Sequence, residues 1–403
     1  MEKHWLINKR NAIFGIIIAL FILSECCTPL SFLDALHIKH FVLLLAVLGY
    51  FLQNARTIIR NFKASFEFKN IVLLIFGLLL ISLVLQVMHG HFEFFTLVEI
   101  YYLAIPIVFV ELFYFQHENQ DIEGVLTFAL YILLISYFVT SYSNGKLSVS
   151  NLISMLDFRS LFIDSTSAIG EIGLVSSCCT LLEIFFIYKN KKEKAILSFI
   201  GVFLGYKRFC VFFAALILII GLVVPNIKLN KKVLYITIAL FIFMPFATQL
   251  MCSNSFASWF YRTTGIDFNY FTKTRFSIIN TVIDANLTSY GLGTVTHYLE
   301  TRNVFRQTNM HNDLLMIYLD CTIIGTGIFT VQLFKIASNS IYAYYMMVFL
   351  FGQMFITHCL GKGTIIVWLL SYMIIYYFNR NMDIDGMCER IGEEVENRYS
   401  NIS

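Results

Sequence analysis

The sequence predicts an all-α polytopic membrane protein with about twelve transmembrane helices, both termini in the cytoplasm and one large outward-facing loop. Three observations predict this fold. The chain of 403 residues is 58% hydrophobic and only 14% charged, with a mean hydropathy of +0.72, whereas a soluble domain would carry about 25% charged residues. Apolar runs of nearly membrane-spanning length recur along the chain. Basic residues collect in alternate connections between these runs.

The individual helices are predicted from apolar runs that are long enough, or nearly long enough, to cross about 30 Å of hydrocarbon. They span 11–28, 38–53, 71–88, 95–115, 123–141, 168–188, 195–206, 208–225, 233–251, 312–334, 340–358 and 363–378. Two of them, 38–53 and 195–206, are short. Because only Tyr206-Lys207-Arg208 separates 195–206 from its successor, the pair is predicted to form a tight hairpin, with a single bent or re-entrant helix as the alternative.

The distribution of basic residues predicts the orientation. With the N-terminus inside, most of the 29 Lys and Arg residues fall in inner connections, as the positive-inside rule requires. The long polar stretch 252–311 then faces outward, away from ATP and nucleotide-sugars, and its length makes it a natural place for chemistry. Residues 1–378 are therefore predicted to form one membrane domain with an extracytoplasmic catalytic loop at 252–311, and 379–403 a short cytoplasmic tail.

Cysteine usage and net charge exclude several other classes of protein. The nine cysteines lie mostly inside apolar runs, without a CxxC pair or a cluster with histidine, which indicates small buried hydrophobes. No disulfide, metal site or cofactor is predicted. The net charge of +3 is too small to indicate a nucleic-acid partner.

Basic residues on the outward side run against the positive-inside bias, and this makes them candidates for function. Arg208 opens an apolar helix, where its guanidinium can hold phosphate oxygens with two hydrogen bonds at the bilayer surface. Arg275 lies within the large loop, before a stretch to Ile283 that is typical of an amphipathic helix. The alternatives are an interfacial, snorkelling Arg208 and a solvated Arg275.

His311 is the candidate general base. Thr308 or Asn309 is expected to cap the following helix, which places the imidazole in the first turn, where the helix dipole lowers its pKa. The alternative is an interfacial polar residue. Asp320, nine positions further on, is expected to face away from His311 and to meet another helix. Glu171 is expected near the outer end of its helix, close in depth to the proposed site.

These residues together resemble a known family. A Lys207-Arg208 pair opening a helix, an Arg in a long outer loop, a Gly291-Leu292-Gly293 turn and a His311-Asn312 pair before an apolar helix resemble the O-antigen polymerase and O-antigen ligase superfamily, the Wzy-type proteins. The family pattern continues with an acidic residue eight places beyond the Asn and a G-x-x-G. Here Asp320 stands where Glu is usual, Thr322 replaces the first glycine, and Gly325 keeps the second.

The resemblance implies metal-independent glycosyl transfer from a polyprenyl-diphosphate-linked oligosaccharide at the outer face of the bacterial cytoplasmic membrane. It implies that Arg208 and Arg275 clamp the diphosphate, and that His311 takes the proton of the acceptor hydroxyl with help from Asn312. The further candidates for substrate binding are Lys207, Glu171, Arg159, Arg302 and Arg306. Membrane lipids and a chain-length regulator are the other candidate partners.

Within the superfamily, a polymerase that joins repeat units of a surface polysaccharide, O-antigen or capsule, is preferred. A ligase that transfers finished polysaccharide to an acceptor is the first alternative. A lipid-linked oligosaccharide flippase is the alternative from a different class, although it should carry midplane charges and repeat symmetry and does not need so long an outer loop. A purely structural membrane protein leaves the outward Arg residues unexplained.

Overall fold

The fold is all-helical. The computed structural model describes residues 2–30, 32–35, 38–61, 66–115, 122–148, 173–223, 229–272, 275–302 and 310–379, and these contain no strand. The helices are α1 Glu2–Cys26, α2 Phe32–Ala35, α3 Ile38–Asn61, α4 Phe66–His89, α5 Phe95–Phe115, α6 Ile122–Ser143, α7 Gly173–Tyr188, α8 Lys192–Gly205, α9 Arg208–Val223, α10 Lys231–Met251, α11 Asn254–Thr264, α12 Phe268–Phe271, α13 Arg275–Asp284, α14 Thr294–Arg302, α15 Asp313–Ile336, α16 Ile341–Ile356 and α17 Ile365–Asn379.

The prediction of apolar helices is confirmed, since each of the twelve predicted segments overlaps one of these helices. Among the described residues, four helices are long and apolar enough to cross a membrane by length and composition: Lys69–His89, Ile122–Ser143, Lys231–Met251 and Asp313–Ile336. Large apolar side chains cover the outside of α4 and α10, including Phe76, Val87, Ile236 and Leu250. A soluble monomer rarely exposes such contiguous apolar surface. The architecture therefore indicates a membrane-embedded protein.

The core of the bundle is built around α7. Every residue from Val175 to Phe186 is buried, so this helix is surrounded on all sides, as its mostly apolar sequence predicts. Its hydroxyl groups are satisfied locally or by neighbours, as where the Ser176 hydroxyl donates to the carbonyl of Val202 in α8 at 2.9 Å. Helices α15 and α17 are also largely buried and complete the centre.

Helices α8 and α9 form a tight hairpin against α7. The end of α8 lies beside the start of α7 through the Ser176 contact. At the same level, the Ser177 hydroxyl lies 3.7 Å from the Cys210 sulfur near the start of α9, and further along Gly221 approaches Ile187 at the other end of α7. Tyr206 reverses the chain with a left-handed backbone, φ 53°. The predicted hairpin is confirmed, and the single bent helix is wrong.

The stretch 252–311, hereafter the inserted segment, is more ordered than the predicted loop. Its described residues fold into α11 to α14, while 273–274 and 303–309 lie outside the described part of the chain. The Ser253 hydroxyl and the Asp267 carboxylate accept hydrogen bonds from backbone N–H groups and cap α11 and α12. The predicted helix after Arg275 is present as α13, and Ile278, Ile279 and Val282 on it are buried within the protein.

The connections alternate between the two ends of the bundle. The end that carries Lys39, His91, Lys207, Asn312 and His358 is hereafter called the site end. Contacts across it include Lys207 with Gln353, Asn312 with Thr248, and Asp313 with His358. At the opposite end, Asn379 donates a hydrogen bond to the carbonyl of Ile336. The rest of the predicted tail, 380–403, lies outside the described residues.

Candidate functional site

His311 lies just before α15 rather than inside it. The helix begins at Asp313, and its N-cap is Asn312, whose side-chain oxygen accepts from the N–H of Leu315 at 2.9 Å. The prediction that Thr308 or Asn309 caps the helix, with His311 in its first turn, is therefore wrong. The chain turns at His311 through a left-handed backbone, φ 58°, so that the imidazole precedes the helix by two residues.

Asn312 has a mainly structural role. Its side-chain nitrogen donates to the Thr248 hydroxyl at 3.2 Å near the end of α10, and its oxygen caps α15. The side chain is buried. Asn312 therefore joins the two ends of the inserted segment and holds the backbone next to His311.

The surroundings of His311 keep its imidazole neutral. Burial, together with the nearby charges of Arg275, His358 and Lys207, lowers its pKa to about 4, against an opposing effect of Asp313. The predicted direction was right, but the cause is burial and neighbouring cations rather than the dipole of a helix. At neutral pH the side chain is an unprotonated base, as general-base catalysis requires.

Arg275 connects the inserted segment to the bundle. It is the first residue of α13, and its guanidinium donates to the backbone carbonyl of Ile356 at 2.7 Å, at the end of α16. Because its charge acts on His311, the two predicted residues lie in one site although 36 positions separate them. A guanidinium carries five N–H donors in a planar group, a shape that suits phosphate oxygens.

Lys207 is oriented into the bundle. Its ammonium donates to the side-chain oxygen of Gln353 in α16 at 2.5 Å and lies 3.4 Å from the Ser177 hydroxyl in α7. Its charge also acts on His311. Arg208, the next residue, is half-buried and opens α9. The hairpin turn between α8 and α9 thus brings the charge of Lys207 to the site.

Sequence reasoning missed a buried pair of ionisable residues. One carboxylate oxygen of Asp313 lies 2.6 Å from Nδ1 of His358, and the other accepts from the backbone N–H groups of Cys359 and Leu360. Burial opposes a charged His358, but the charge and hydrogen bond of Asp313, with a contribution from Glu99, outweigh it and raise the pKa of His358. The available signal was a histidine at the end of an apolar run, on the same side as His311.

The Gly291-Leu292-Gly293 turn is bound to Asp320. The Asp320 carboxylate accepts from the N–H groups of Gly293 and Val295, both at 2.9 Å, and so meets the start of α14, which confirms the prediction that it contacts another helix. Both glycines have positive φ, 101° and 89°, and a side chain on Gly293 would collide with Phe95. The acidic residue therefore holds the turn in place.

Thr322 interrupts α15. Its backbone has φ 62° and ψ −174°, a region that almost only glycine occupies. This is the position at which the family pattern has the first glycine of its G-x-x-G. The second position, Gly325, is buried and packs against Cys321 and Leu78.

Of the remaining predicted residues, one lies in the described part of the chain. Arg302 is exposed at the end of α14. Arg159, Glu171 and Arg306 lie outside the described residues.

A second group of metal-ligand side chains lies elsewhere at the site end. His91, Glu93 and His297 present ligand atoms that are all within 4.8 Å of one another. Thr296, the residue before His297 in α14, donates a hydrogen bond from its hydroxyl to the Glu99 carboxylate at 2.9 Å. The sequence did not predict this group because Glu93 and His297 are 204 positions apart.

Comparisons with known proteins give no match: no protein-family model, no curated protein and no solved structure corresponds to this chain.

Proposed function

We propose that the protein polymerises polyprenyl-diphosphate-linked oligosaccharide repeat units into a surface polysaccharide, O-antigen or capsule, at the outer face of the bacterial cytoplasmic membrane. The observation that carries this proposal is a neutral imidazole, His311, among the cationic residues Arg275, Lys207 and His358. A neutral base beside several cations suits a reaction in which a hydroxyl loses a proton and a diphosphate leaves as an anion.

The proposed reaction has one bond-making and one bond-breaking event. The acceptor hydroxyl attacks the anomeric carbon of the donor, and a new glycosidic C–O bond forms. The bond between that carbon and the diphosphate oxygen breaks, and the lipid diphosphate departs with the electron pair. His311 takes the proton of the attacking hydroxyl. Its pKa of about 4 leaves it unprotonated and ready for each turnover at neutral pH.

Arg275 is proposed to stabilise the leaving group. A guanidinium can present two parallel N–H groups to phosphate oxygens, and the charge of Arg275 acts on the proposed base, His311. Lys207 adds a point charge from the hairpin turn, and Arg208 is proposed as a second guanidinium at the start of α9. Asp313 is a positioning residue, because it holds the 358–360 backbone and His358 against the start of α15.

The proposed orientation has twelve membrane spans, with both termini in the cytoplasm and the site end outward. It is supported by the positive-inside bias of the sequence, and by α1 running toward the site end while α17 runs away from it. In this proposed orientation, a site at the end of the bundle would meet the head of a lipid-linked donor at the membrane surface. The exposed aromatic residues Trp259, Tyr261 and Tyr270 of the inserted segment provide surface for lipid or sugar rings.

The resemblance to the Wzy-type superfamily gains support from two features. The turn and the acidic residue of the family pattern, Gly293 and Asp320, bind each other, and the position of the missing glycine, Thr322, has a backbone conformation typical of glycine. Gly293 and Asp320 are thus neighbours although 27 positions separate them, and Thr322 has a backbone conformation that suits the glycine of the family pattern.

The gene should be deleted in its own host, and the surface polysaccharide separated by size after complementation with wild type, Arg275→Ala or His311→Ala. The proposal predicts single repeat units in the deletion strain, restored to long chains only by the wild-type protein. Full-length chains left on the lipid carrier outside would indicate a ligase, and single units trapped at the inner face would indicate a flippase.

A further inference from the structure

Three side chains from two distant parts of the chain meet at the site end. Glu93 and His91 lie in the connection between α4 and α5, and His297 lies in α14. One Glu93 carboxylate oxygen is 2.6 Å from Nδ1 of His297 and 3.8 Å from Nε2 of His91. All three ligand atoms lie within 4.8 Å of one another. None of these residues takes part in the reaction proposed above.

We propose that His91, Glu93 and His297 bind a divalent transition metal of the Zn²⁺ class, with a fourth position open to water. Imidazole nitrogens and a carboxylate oxygen are ordinary zinc ligands, at about 2.0–2.2 Å from the ion. In a tetrahedral site two such ligand atoms lie about 3.3 Å apart. The two distances from Glu93, 2.6 and 3.8 Å, lie on either side of this value, and the nitrogens of His91 and His297 lie within 4.8 Å of each other, so rotation of the imidazoles can bring all three atoms to the ion.

Neighbouring groups orient all three ligands. The second oxygen of Glu93 accepts from the backbone N–H of Phe95 at 3.1 Å. The Phe95 ring stacks on His297 with centroids 5.3 Å apart, and the Tyr290 ring lies 4.3 Å from His91. The hydrogen bond to Glu93 is of the kind that orients ligating carboxylates in metal sites, and the two ring contacts restrict the orientation of the imidazoles.

The exposure of the ligands provides an entry path for the ion. The Glu93 side chain is only 3% exposed, whereas those of His91 and His297 are 42% and 39% exposed. The carboxylate thus forms the floor of the site and the imidazoles its solvent-facing rim. A water molecule can therefore reach the fourth coordination position.

The proposed ion fastens the inserted segment to the helix bundle. His297 follows the Gly291-Leu292-Gly293 turn and is next to Thr296, which already binds Glu99 in α5. A metal shared with His91 and Glu93 closes a long chain loop between the α4–α5 connection and α14, which restricts the motion of α14. The role is structural, and it does not depend on the transferase reaction proposed above.

The full-length protein should be purified in detergent through a tag without histidine, stripped with a chelator and titrated with Co²⁺ alone. Co²⁺ reports its coordination through visible absorption, and Zn²⁺ is then added to displace it. The wild type is expected to bind one equivalent, and Zn²⁺ is expected to raise its melting temperature. His91→Ala and His297→Ala should each weaken binding by roughly 100-fold or more, since even outer residues contribute 10- to 100-fold.

His89→Ala is the matched control. His89 is exposed near the same connection and its ring also faces Tyr290, but it is not part of the cluster, so this variant should bind like the wild type. Two results would overturn the proposal. One is a wild-type protein without saturable Co²⁺ or Zn²⁺ binding, in which case Glu93 and His297 are only a hydrogen-bonded pair. The other is binding that survives in both His91→Ala and His297→Ala.

Discussion

Asp313 and His358 bind each other at the start of α15, with 2.6 Å between a carboxylate oxygen and Nδ1 of the imidazole. The other carboxylate oxygen accepts from the backbone of the next two residues after His358. This pair fastens the connection between α16 and α17 to the first turn of α15, two positions after His311. The base proposed for catalysis therefore lies directly before two residues, Asn312 and Asp313, whose side chains hold the start of α15 in place.

The pair predicts a pH dependence of stability. The pKa of His358 is raised in the folded protein, so its stabilising effect is complete below the unfolded value of about 6.5 and is lost as pH rises through the folded pKa. Thermal stability in detergent should therefore decline over that range. Asp313→Asn should lower the melting temperature at pH 6 and flatten the decline, whereas Asp284→Asn, an exposed residue at the end of α13, should leave both unchanged. An equal decline in Asp313→Asn would contradict the assignment.

The pKa of His311 predicts the acidic side of the activity profile. An unperturbed histidine base would lose activity below about pH 6.5. His311 has a folded pKa of about 4, so initial rates of sugar transfer should stay constant from pH 7 down to about pH 5 and fall only as the pH approaches that pKa. Rates measured in proteoliposomes, after brief exposure to each pH and a check that activity recovers, provide the test. A midpoint near 6.5 would indicate a solvated histidine.

Arg275 provides a test of guanidinium geometry. Arg275→Lys keeps the positive charge but loses the paired N–H groups, so transfer activity should fall by roughly 10-fold or more, the equivalent of about 1.4 kcal/mol. Arg262→Lys, at an exposed position in α11, should leave activity unchanged. Polymer length after complementation of the deletion strain gives the readout. If Arg275→Lys makes chains of wild-type length, the diphosphate clamp is wrong.

The helices could be predicted because an apolar run is a local feature of the sequence and can be identified without knowledge of tertiary contacts. The twelve segments and the α8–α9 hairpin follow from hydropathy and from the three residues 206–208 alone. The start of α15 was misplaced because Thr308, Asn309 and Asn312 are all good capping residues, and only the contact of Asn312 with Thr248 distinguishes among them. The sequence around a helix start shows which residues can serve as its N-cap, but it does not show which of them does so when a tertiary contact determines the choice.

The site was predicted only in part, because some of its partners are defined by folding. Arg275, His311 and Lys207 could be recognised as polar residues beside apolar runs. His358 could not be distinguished from an interfacial histidine, since its partner Asp313 is 45 positions away. Asp320 was recognised as a buried acid, but its partners are backbone N–H groups of the turn, which have no side-chain signature.

Gly293 should be among the least replaceable residues of the inserted segment. A methyl group there would lie 2.5 Å from Cβ of Phe95, in a backbone with φ 89°. Gly293→Ala should therefore abolish a monodisperse peak in detergent chromatography. Gly265→Ala is the control, because Gly265 also has positive φ, 70°, but open space around it, so it should cost only about 1–2 kcal/mol. Equal behaviour of the two variants would contradict the described packing of the turn on α5.

Thr322 predicts a stabilising substitution. Its backbone region costs a non-glycine residue about 1–3 kcal/mol, while a glycine loses about 0.5–1 kcal/mol through chain entropy. Thr322→Gly should therefore raise the melting temperature slightly, whereas Thr322→Ala should not. Thermal unfolding in the same detergent compares the two. A lower melting temperature for Thr322→Gly than for Thr322→Ala would contradict the kink in α15.

The most direct test of the proposed polymerase is a reconstituted reaction. Lipid-linked single repeat units extracted from the deletion strain are incorporated into proteoliposomes with purified wild-type protein or His311→Ala. Polymer length and released polyprenyl diphosphate are then measured together. The wild type should form chains and release one lipid diphosphate per bond made, while folded His311→Ala should do neither. Wild-type protein that is folded and membrane-inserted but leaves the single units unchanged would contradict the proposed function.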